Sequence, residues 1–367
     1  MRLRRVVCYY DGRSKWLISG RLPALQPTAL HELAYLIPRE EEVLSTFAEL
    51  RSYMDARDVE CILVEAQDSA TLAHALASDN DDCIFLNMSD GFYPVTASYF
   101  PAVAAMHRIR YFGNSAALQL AVQNKYMQYI FCNHANILTP KTFLYDGATC
   151  VSDDRPQEGQ YKFFVKPFDL ANSIGIFGDS VSDSLANAVQ VAVRIKEHYN
   201  TKALIQEFID GVSVRVNYIS VARDASIPQN IGIHLMTGPP DDDIPFTTFE
   251  SHLERFARAD ADYADKAVPS DMISAPLAHL HAVGAAVGKI QTDTEKLVRI
   301  LGLRDYFSMD YKLAEDGRCY FIEVNTLPFA RNAALRAYCK QSFGLTVGAA
   351  LGAAMVGAIA DGPPHEW

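Results

Sequence analysis

The chain has 367 residues, of which 49% are hydrophobic and 21% are charged. This length exceeds one ordinary domain and predicts two or three, and the composition is that of a globular protein rather than a disordered one. The formal net charge of -11 argues against nucleic acid and anionic membranes as partners, because both require a basic surface.

Seven cysteines are scattered without a CxxC pair, which predicts neither a disulfide framework nor a zinc site and favours a reducing, cytoplasmic location. The N-terminus lacks an apolar run of signal-peptide length. The longest apolar stretch, residues 345–360, is shorter than the roughly 20 residues needed to span a bilayer, and we predict a packed terminal helix. Its Gly348 and Gly352 favour close helix packing over a dimer contact. A homodimer is kept as an alternative.

The first 113 residues alternate strand-like and helix-like segments. This alternation predicts βαβ units, hence a parallel sheet and an α/β domain over residues 1–113. The strand-like segments are RRVVCYY, CILVEA and CIFLNMS, and the helix-like segments are EEEVLSTFAELRSYMDARD and SATLAHALASDN.

After Gly113 the pattern changes to a helical stretch, SAALQLAVQNKYMQYIFCNHA, which ends before Pro140. A strand KTFLYD, a strand FFVKPF and a helix SLANAVQVAVRIKEHY follow, and we predict a central domain over residues 114–202. The third domain, residues 203–367, begins with strand ALIQEFI and contains a polar, Pro-rich segment predicted to be an exposed loop, GPPDDDIPFTTFESH.

Two strand ends have the features of a nucleotide site. Lys166 ends an apolar strand, and Gly175 in the following loop lets backbone amides approach a phosphate. Gln206 ends another strand, where a carboxamide and free backbone groups could pair with an adenine edge. The alternative for both is a solvated strand end, and Lys125, inside a predicted helix, is uninformative alone.

Asp316-Gly317 predicts a hairpin with a two-residue type I′ turn, because Gly accepts positive φ and Asp tolerates it. This register pairs Leu313 with Tyr320 and places Asp310 opposite Glu323, and Asn325 shares their face two residues further along. Opposed carboxylates are unfavourable unless a cation lies between them or one is protonated. The oxygen ligands favour Mg²⁺, with Mn²⁺ as the second option, and the alternative is a solvated hairpin.

Taken in order, the segments FLNMSDGFY, YFGNSAALQLAVQNKYMQYIFCNHANILTPKTF, FFVKPFDLANSIGI, ALIQEFIDG and MDYKLAEDGRCYFIEVNTLP resemble the ATP-grasp superfamily, and within it the D-alanine:D-alanine ligases. The resemblance covers about Phe85 to Asn325. It implies an ATP-grasp fold, α/β with α+β parts, with ATP bound between the central and C-terminal domains. The implied nucleotide contacts are Lys125, Lys166, Asn172, Ser173, Gly175, Gln206, Glu207, Ile209 and Ser213, and the implied Mg²⁺ ligands are Asp310, Glu323 and Asn325.

The chain also departs from the ligase pattern. Ser213 stands where the ligases place a ribose-binding acid, Ser308 replaces their oxyanion-stabilising Arg, and Asn172 replaces a serine of the phosphate loop. Their Gly-Met-Thr run is replaced by residues 329–332. We expect Arg215 and Arg331 to supply the missing positive charge in catalysis.

The resemblance therefore implies an ATP-grasp ligase that forms an amide or peptide bond through an acyl phosphate, releasing ADP. We expect small-molecule carboxylate and amine substrates, with an amino acid as one substrate and an acceptor other than plain D-alanine. The alternatives are a D-alanine:D-alanine ligase proper and a non-catalytic nucleotide-binding protein of the same fold.

Overall fold

A computed structural model of the chain describes residues 3–10, 29, 32–33, 40–65, 82–88, 94–222, 230–236, 267–269, 283–327 and 333–360. Two predicted segments, the helix SATLAHALASDN and the loop GPPDDDIPFTTFESH, lie outside these residues. Arg331 and the rest of residues 329–332 lie outside them as well.

The first sheet is parallel, with strand order β2-β1-β3-β4, as the βαβ alternation predicts. Successive side chains of β1 enter separate cores on the two faces, Val6 and Cys8 on one and Val7 and Tyr9 on the other. Strands buried on both faces are typical of α/β sheets. The elements are β1 (Arg5–Tyr10), α1 (Glu40–Asp55), β2 (Glu60–Glu65), β3 (Cys83–Asn87), α2 (Pro94–Met106) and β4 (Tyr111–Phe112).

Two helices follow, α3 (Ala116–Gln123) and α4 (Lys125–His134), where the sequence predicted one helical stretch. The break is at Asn124, whose side chain accepts hydrogen bonds from the backbone N–H groups of Tyr126 and Met127 and thereby caps α4. The cap fixes Lys125 as the first residue of α4.

The second sheet is antiparallel, with strand order β6-β5-β9-β7-β8. Helix α5 packs on it, and its buried side chains include Val191 and Ile195. The elements are β5 (Thr142–Asp146), β6 (Thr149–Cys150), β7 (Phe163–Pro167), β8 (Val181–Ser182), α5 (Leu185–Tyr199) and β9 (Ala203–Glu207).

The third sheet is antiparallel, with strand order β12-β11-β10-β13-β14. One face forms a core with α3, α4 and α6, and the other face carries the polar residues described below. The elements are β10 (Val212–Ile219), β11 (Gly232–Met236), β12 (Ala267–Pro269), α6 (Val283–Leu301), β13 (Tyr306–Leu313) and β14 (Cys319–Asn325).

These contacts cross the domain limits predicted from the sequence. Strand β9 is the middle strand of the second sheet, although it was assigned to the third domain. Helices α3 and α4 bury Leu118, Val122 and Cys132 in the core of the third sheet, although they were assigned to the central domain. Pairing and packing between distant segments decide both placements, and local sequence pattern does not report them.

Helices α7 (Ala333–Phe343) and α8 (Val347–Ala360) end the described chain. A Cβ on Gly348 would lie 2.4 Å from the carbonyl oxygen of Thr46, and one on Gly352 would lie 2.7 Å from the Tyr53 ring of α1. The two glycines therefore serve close packing against α1. Among the described residues, no single helix has the length and apolar composition of a membrane span. One bent pair of helices, Ala334–Phe343 with Val347–Ile359, has them when the two are taken together, by length and composition only.

Candidate functional site

The hairpin of β13 and β14 places Asp310 opposite Glu323, but its turn differs from the predicted one. The Ala314 carbonyl accepts from Gly317 N at 2.9 Å, and Ala314 N donates to the Arg318 carbonyl at 3.0 Å. Residues 315–317 thus form a three-residue loop, in which Gly317 has φ 81° and Asp316 has no positive φ. A type I′ turn needs positive φ at both central residues, so the predicted two-residue turn is wrong.

A β-bulge restores the predicted carboxylate pair. Leu313 pairs with Cys319 and Tyr311 with Phe321, one residue off the predicted register, and the register then shifts between Asp310 and Tyr311. Ile322 is the additional residue on β14 at this point. Phe321 and Val324 remain in the core, whereas Ile322 packs in a separate cluster on the opposite face.

Two cations neutralise the carboxylates. The Arg215 guanidinium, on β10 directly opposite Asp310, donates from Nε to Oδ1 at 2.5 Å and from Nη2 to Oδ2 at 2.7 Å. Lys125 Nζ lies 3.8 Å from Glu323 Oε2 and donates to the Leu170 carbonyl at 2.5 Å. Neutralisation by Arg215 and Lys125 is thus a third form of compensation, beside the metal ion and the proton expected from the sequence.

Lys166 completes the cluster from the second sheet. Its side chain is buried, and burial lowers its pKa to about 8, opposed by Glu323 and Asp310 and assisted by Lys125. Burial opposes ionisation of Glu323, but Lys125, Lys166 and Arg215 outweigh it and lower the pKa of this carboxyl. These five side chains comprise three cations and two anions, and the half-buried Asp169 carboxyl also interacts with Lys125. The three cations can meet an anionic ligand.

These residues fit a nucleotide with a divalent ion. An ionised carboxylate has about four lone-pair sites, so Asp310 can accept both Arg215 bonds and still coordinate a metal. Mg²⁺ usually takes only one or two protein carboxylates and completes its shell with water and phosphate. No group of three His, Cys, Asp or Glu that could hold a metal occurs in the described ranges.

Comparison with known proteins agrees with this geometry. No family model matches the chain. It is 26% identical over 207 residues to the vancomycin/teicoplanin A-type resistance protein VanA of Enterococcus faecium, covering 56% of this chain and 52% of that protein. It is 30% identical over 166 residues to D-alanine–D-alanine ligase A of Mesorhizobium japonicum, covering 45% and 40%. The chain thus spans about half the length of these curated relatives.

The structural match extends over the whole chain. The D-alanine–D-alanine ligase of Bacillus anthracis complexed with ATP superposes with a TM-score of 0.63 over 98% of both chains, at 13% identity. The chain has the ATP-grasp fold of the D-alanine–D-alanine ligases. The fold expected from the ordered motifs is therefore confirmed.

The residues predicted to bind adenine lie where the second sheet meets the hairpin. Gln206 is buried, and its Nε2 donates to Thr142 Oγ1 at 2.6 Å. The backbone N–H of Glu207 donates to the Lys141 carbonyl at 2.8 Å. Ile209 packs in an apolar cluster with side chains of the hairpin, Ala314, Tyr320 and Ile322.

The loop predicted to cover the phosphates follows β7. Asn172, Ser173 and Gly175 all have positive φ, and a Cβ on Gly175 would lie 2.5 Å from the Pro167 ring. Leu170 and Ile174 bury their side chains in the core of the second sheet. The Leu170 carbonyl contacts Lys125, and this bond connects the loop to the charged cluster.

Ser213 and Asn325 lie at the two ends of the cluster. Ser213 pairs with Lys312, whose Nζ donates to the Gly211 carbonyl at 3.0 Å. Asn325 is exposed, pairs with Ser308, and accepts from the Leu327 backbone N–H at 2.8 Å. Of the two arginines predicted to act in catalysis, Arg215 is in the cluster, and Arg331 lies outside the described residues.

Three residues of the site were not predicted from the sequence. Gln128 on α4 accepts from the backbone N–H of Val324 at 2.8 Å and so ties the edge strand β14 to α4. His234, buried on β11, pairs with Arg215. Asn217, buried on β10, pairs with Ser308. The positions of His234 and Asn217 follow from strand pairing, and that of Gln128 from the packing of α4 against β14. The polar character of Asn217 and His234 within apolar strands was visible in the sequence.

Proposed function

We propose that the chain is an ATP-dependent ligase that joins a carboxylate, as in an amino acid, to an amine through an acyl phosphate and releases ADP. The observation that carries this proposal is the cluster of Lys125, Lys166, Arg215, Asp310 and Glu323, within an ATP-grasp fold. Its three cations match a polyphosphate, and its two opposed carboxylates match a divalent ion.

The first chemical step would transfer the γ-phosphoryl group of ATP to a substrate carboxylate. Lys125 and Lys166 bind the phosphates in this proposal, and Asn172, Ser173 and Gly175 cover them. Asp310, Glu323 and Asn325 would hold Mg²⁺, which supplies neutralisation of charge on the transferring group. Arg215 fixes the orientation of Asp310 through its paired hydrogen bonds.

We assign the base and sugar of the nucleotide to the junction between the second and third sheets. Because the N–H of Glu207 is bonded to Lys141, Glu207 would pair with the adenine edge through its carbonyl, together with Gln206 and the backbone of Ile209. Ile322 and Tyr320 would supply an apolar surface for the ring. Ser213 would face the ribose. We propose three domains, residues 1–113, 114–202 and 203–367, of which the third contributes its first strand, β9, to the second sheet.

The second step would be attack by an amine on the acyl phosphate. The acceptor in this proposal differs from plain D-alanine, because Asn172, Ser308 and residues 329–332 depart from the ligase pattern in the region of the second substrate. Both substrates are small molecules, and the proposed location is the cytoplasm. Arg331 joins Arg215 as a proposed source of positive charge.

The test is a panel assay of phosphate and ADP release. The protein is incubated with ATP, Mg²⁺ and single carboxylates, including D-alanine, and then with each carboxylate paired with D-amino acids, L-amino acids and simple amines. We expect release that depends on a carboxylate and increases with a second substrate. ATP binding without release for any member would contradict the ligase, and full activity with D-alanine alone would identify an ordinary D-alanine–D-alanine ligase.

A further inference from the structure

Two rows of paired residues cross the polar face of the third sheet. The first row is charged or ionisable and runs His234, Arg215, Asp310, Glu323 across β11, β10, β13 and β14. The second row lies beside it and runs Gly232, Asn217, Ser308, Asn325 across the same strands. The second row thus offers two amides and a hydroxyl, with no ionisable side chain, next to the proposed metal ligands.

Asn217 is the buried member of this second row. Its side chain is 0% exposed, and neither its Nδ2 nor its Oδ1 has a hydrogen-bond partner among the residues that the structure describes. Buried polar side chains nearly always have a partner, and an exception calls for a ligand or water to complete it. The amide lies two residues from Arg215 on the same face of β10, so its natural ligand is the molecule bound at the charged row.

The surroundings of Asn217 strengthen any hydrogen bond made there. The next residue on this face of β10, Ile219, lies in an apolar core with Tyr306 and Tyr338. Tyr338 also covers Gly232, since a Cβ at this glycine would lie 2.3 Å from the tyrosine ring. Asn217 therefore lies at the border between an apolar core and the charged row. The low local dielectric there strengthens a hydrogen bond that its amide donates.

Two described neighbours of Asn217 are less suited than its amide to meet a developing negative charge. Arg215 gives two hydrogen bonds to Asp310. Ser308, which faces Asn217 across the strands, stands where the ligases carry a cation. Among the described residues of the second row, Asn217 and Ser308 are thus buried donors without a role assigned above.

We propose that Asn217 Nδ2, together with the Ser308 hydroxyl, donates hydrogen bonds to the oxyanion of the second chemical step. This inference rests on the proposed ligase function. The acceptor amine forms a C–N bond to the acyl phosphate carbon, and the C=O pair moves onto oxygen, where Asn217 and Ser308 bind it. The C=O bond then re-forms, the bond from carbon to the phosphate oxygen breaks, phosphate leaves, and the amine releases its proton to solvent.

The first part of the test needs no substrate. Asn217→Ala is compared with Asn114→Ala, a matched control in which an equally buried asparagine has both amide atoms paired, with the Tyr306 carbonyl at 2.8 Å and the Arg304 N–H at 2.9 Å. Both variants lose the same atoms. We expect a clear fall in Tm for Asn114→Ala and a much smaller one for Asn217→Ala, whereas an equal fall would show that Asn217 is structural and overturn the inference.

The second part separates the two chemical steps, with D-alanine as the donor carboxylate and the most active acceptor from the panel. Scrambling of an ¹⁸O label between the bridging and non-bridging β-phosphate positions of ATP, without acceptor, reports reversible acyl phosphate formation. We expect Asn217→Ala to retain this exchange and the KM for ATP, while kcat for ligation falls about 100- to 1000-fold, as for loss of one oxyanion donor.

The outcomes distinguish this inference from the ligase proposal. Exchange in the wild-type protein together with undiminished ligation by Asn217→Ala would overturn the role of Asn217 and leave the ligase intact. Equal loss of exchange and ligation would place Asn217 in the first step and also overturn the inference. If no carboxylate of the panel, used in place of D-alanine, supports exchange in the wild-type protein, the ligase proposal fails, and the oxyanion assignment fails with it.

Discussion

At the scale of single residues, the site depends on a balance of buried charge. Asp310 and Glu323 oppose each other on adjacent strands, and Arg215, Lys125 and Lys166 surround them. Removing one charge leaves its partner uncompensated, which is costly in a partly buried cluster. All five residues were predicted from the sequence as site residues, but the position of Arg215 directly opposite Asp310 was not, because that contact depends on how β10 and β13 pair.

Glu323→Gln tests the proposed metal ligand. We expect loss of ligase activity by more than about 100-fold, which exceeds the usual effect of removing a group that only orients a ligand. Steady-state release of ADP measures it. Glu315→Gln, in the exposed loop of the same hairpin, is the matched control and should keep wild-type activity. Comparable loss in both variants would indicate damage to the hairpin rather than to the site.

Arg215→Lys tests the paired hydrogen bonds to Asp310. Lysine keeps the charge but cannot present the planar fork of a guanidinium. We expect kcat to fall about 10- to 100-fold, from a loss of roughly 1.5–3 kcal/mol for a hydrogen bond to a charged group. Arg318→Lys, whose guanidinium bonds exposed Asp316 in the hairpin loop, should be neutral. Wild-type kcat in Arg215→Lys would contradict the orienting role.

At the scale of elements, the hairpin shows what a local pattern can predict. The Asp-Gly pair correctly indicated the turn, and the pairing of Asp310 with Glu323 is as predicted. The turn has three residues rather than two, and the bulge at Ile322 compensates for the one-residue difference. Bulges depend on the packing of both faces, here the core at Phe321 and the apolar cluster at Ile322, so the sequence of one strand does not show them.

Helix packing gives a prediction about stability. Gly352, in α8, is close to the Tyr53 ring, whereas Gly288, in α6, has no atom within 4 Å of an added Cβ. Gly352→Ala should lower the free energy of unfolding because α8 must move away from α1. Gly288→Ala should raise it by up to about 1 kcal/mol through helix propensity. Thermal unfolding of the two variants measures the difference, and a stabilising Gly352→Ala would contradict the close packing.

At the scale of the whole molecule, the site joins parts of the chain that are far apart in sequence. Lys125 belongs to a helix packed on the third sheet, Lys166 to the second sheet, and Glu323 to the edge strand of the third. The order of the motifs was enough to predict the fold. The position of β9 in the second sheet and of α3 and α4 on the third could not be predicted, because both depend on long-range contacts that no local pattern encodes.

A nucleotide that binds this site in the folded protein, and not the unfolded chain, should stabilise the fold. Ligand at 100 times its Kd adds about 2.7 kcal/mol to the free energy of unfolding. We expect MgADP to raise Tm in the wild-type protein and in Lys162→Met, which changes an exposed lysine, but much less in Lys166→Met. Equal protection of both variants would exclude Lys166 from the nucleotide site.

Calorimetric titration of ADP, with and without Mg²⁺, tests the nucleotide and metal site most directly. If the opposed carboxylates hold a divalent ion against the phosphates, ADP binds the wild-type protein more tightly with Mg²⁺ than with EDTA, and this difference disappears in Glu323→Gln. ADP binding that is absent, or that is equally tight with and without Mg²⁺ in both proteins, would contradict the account.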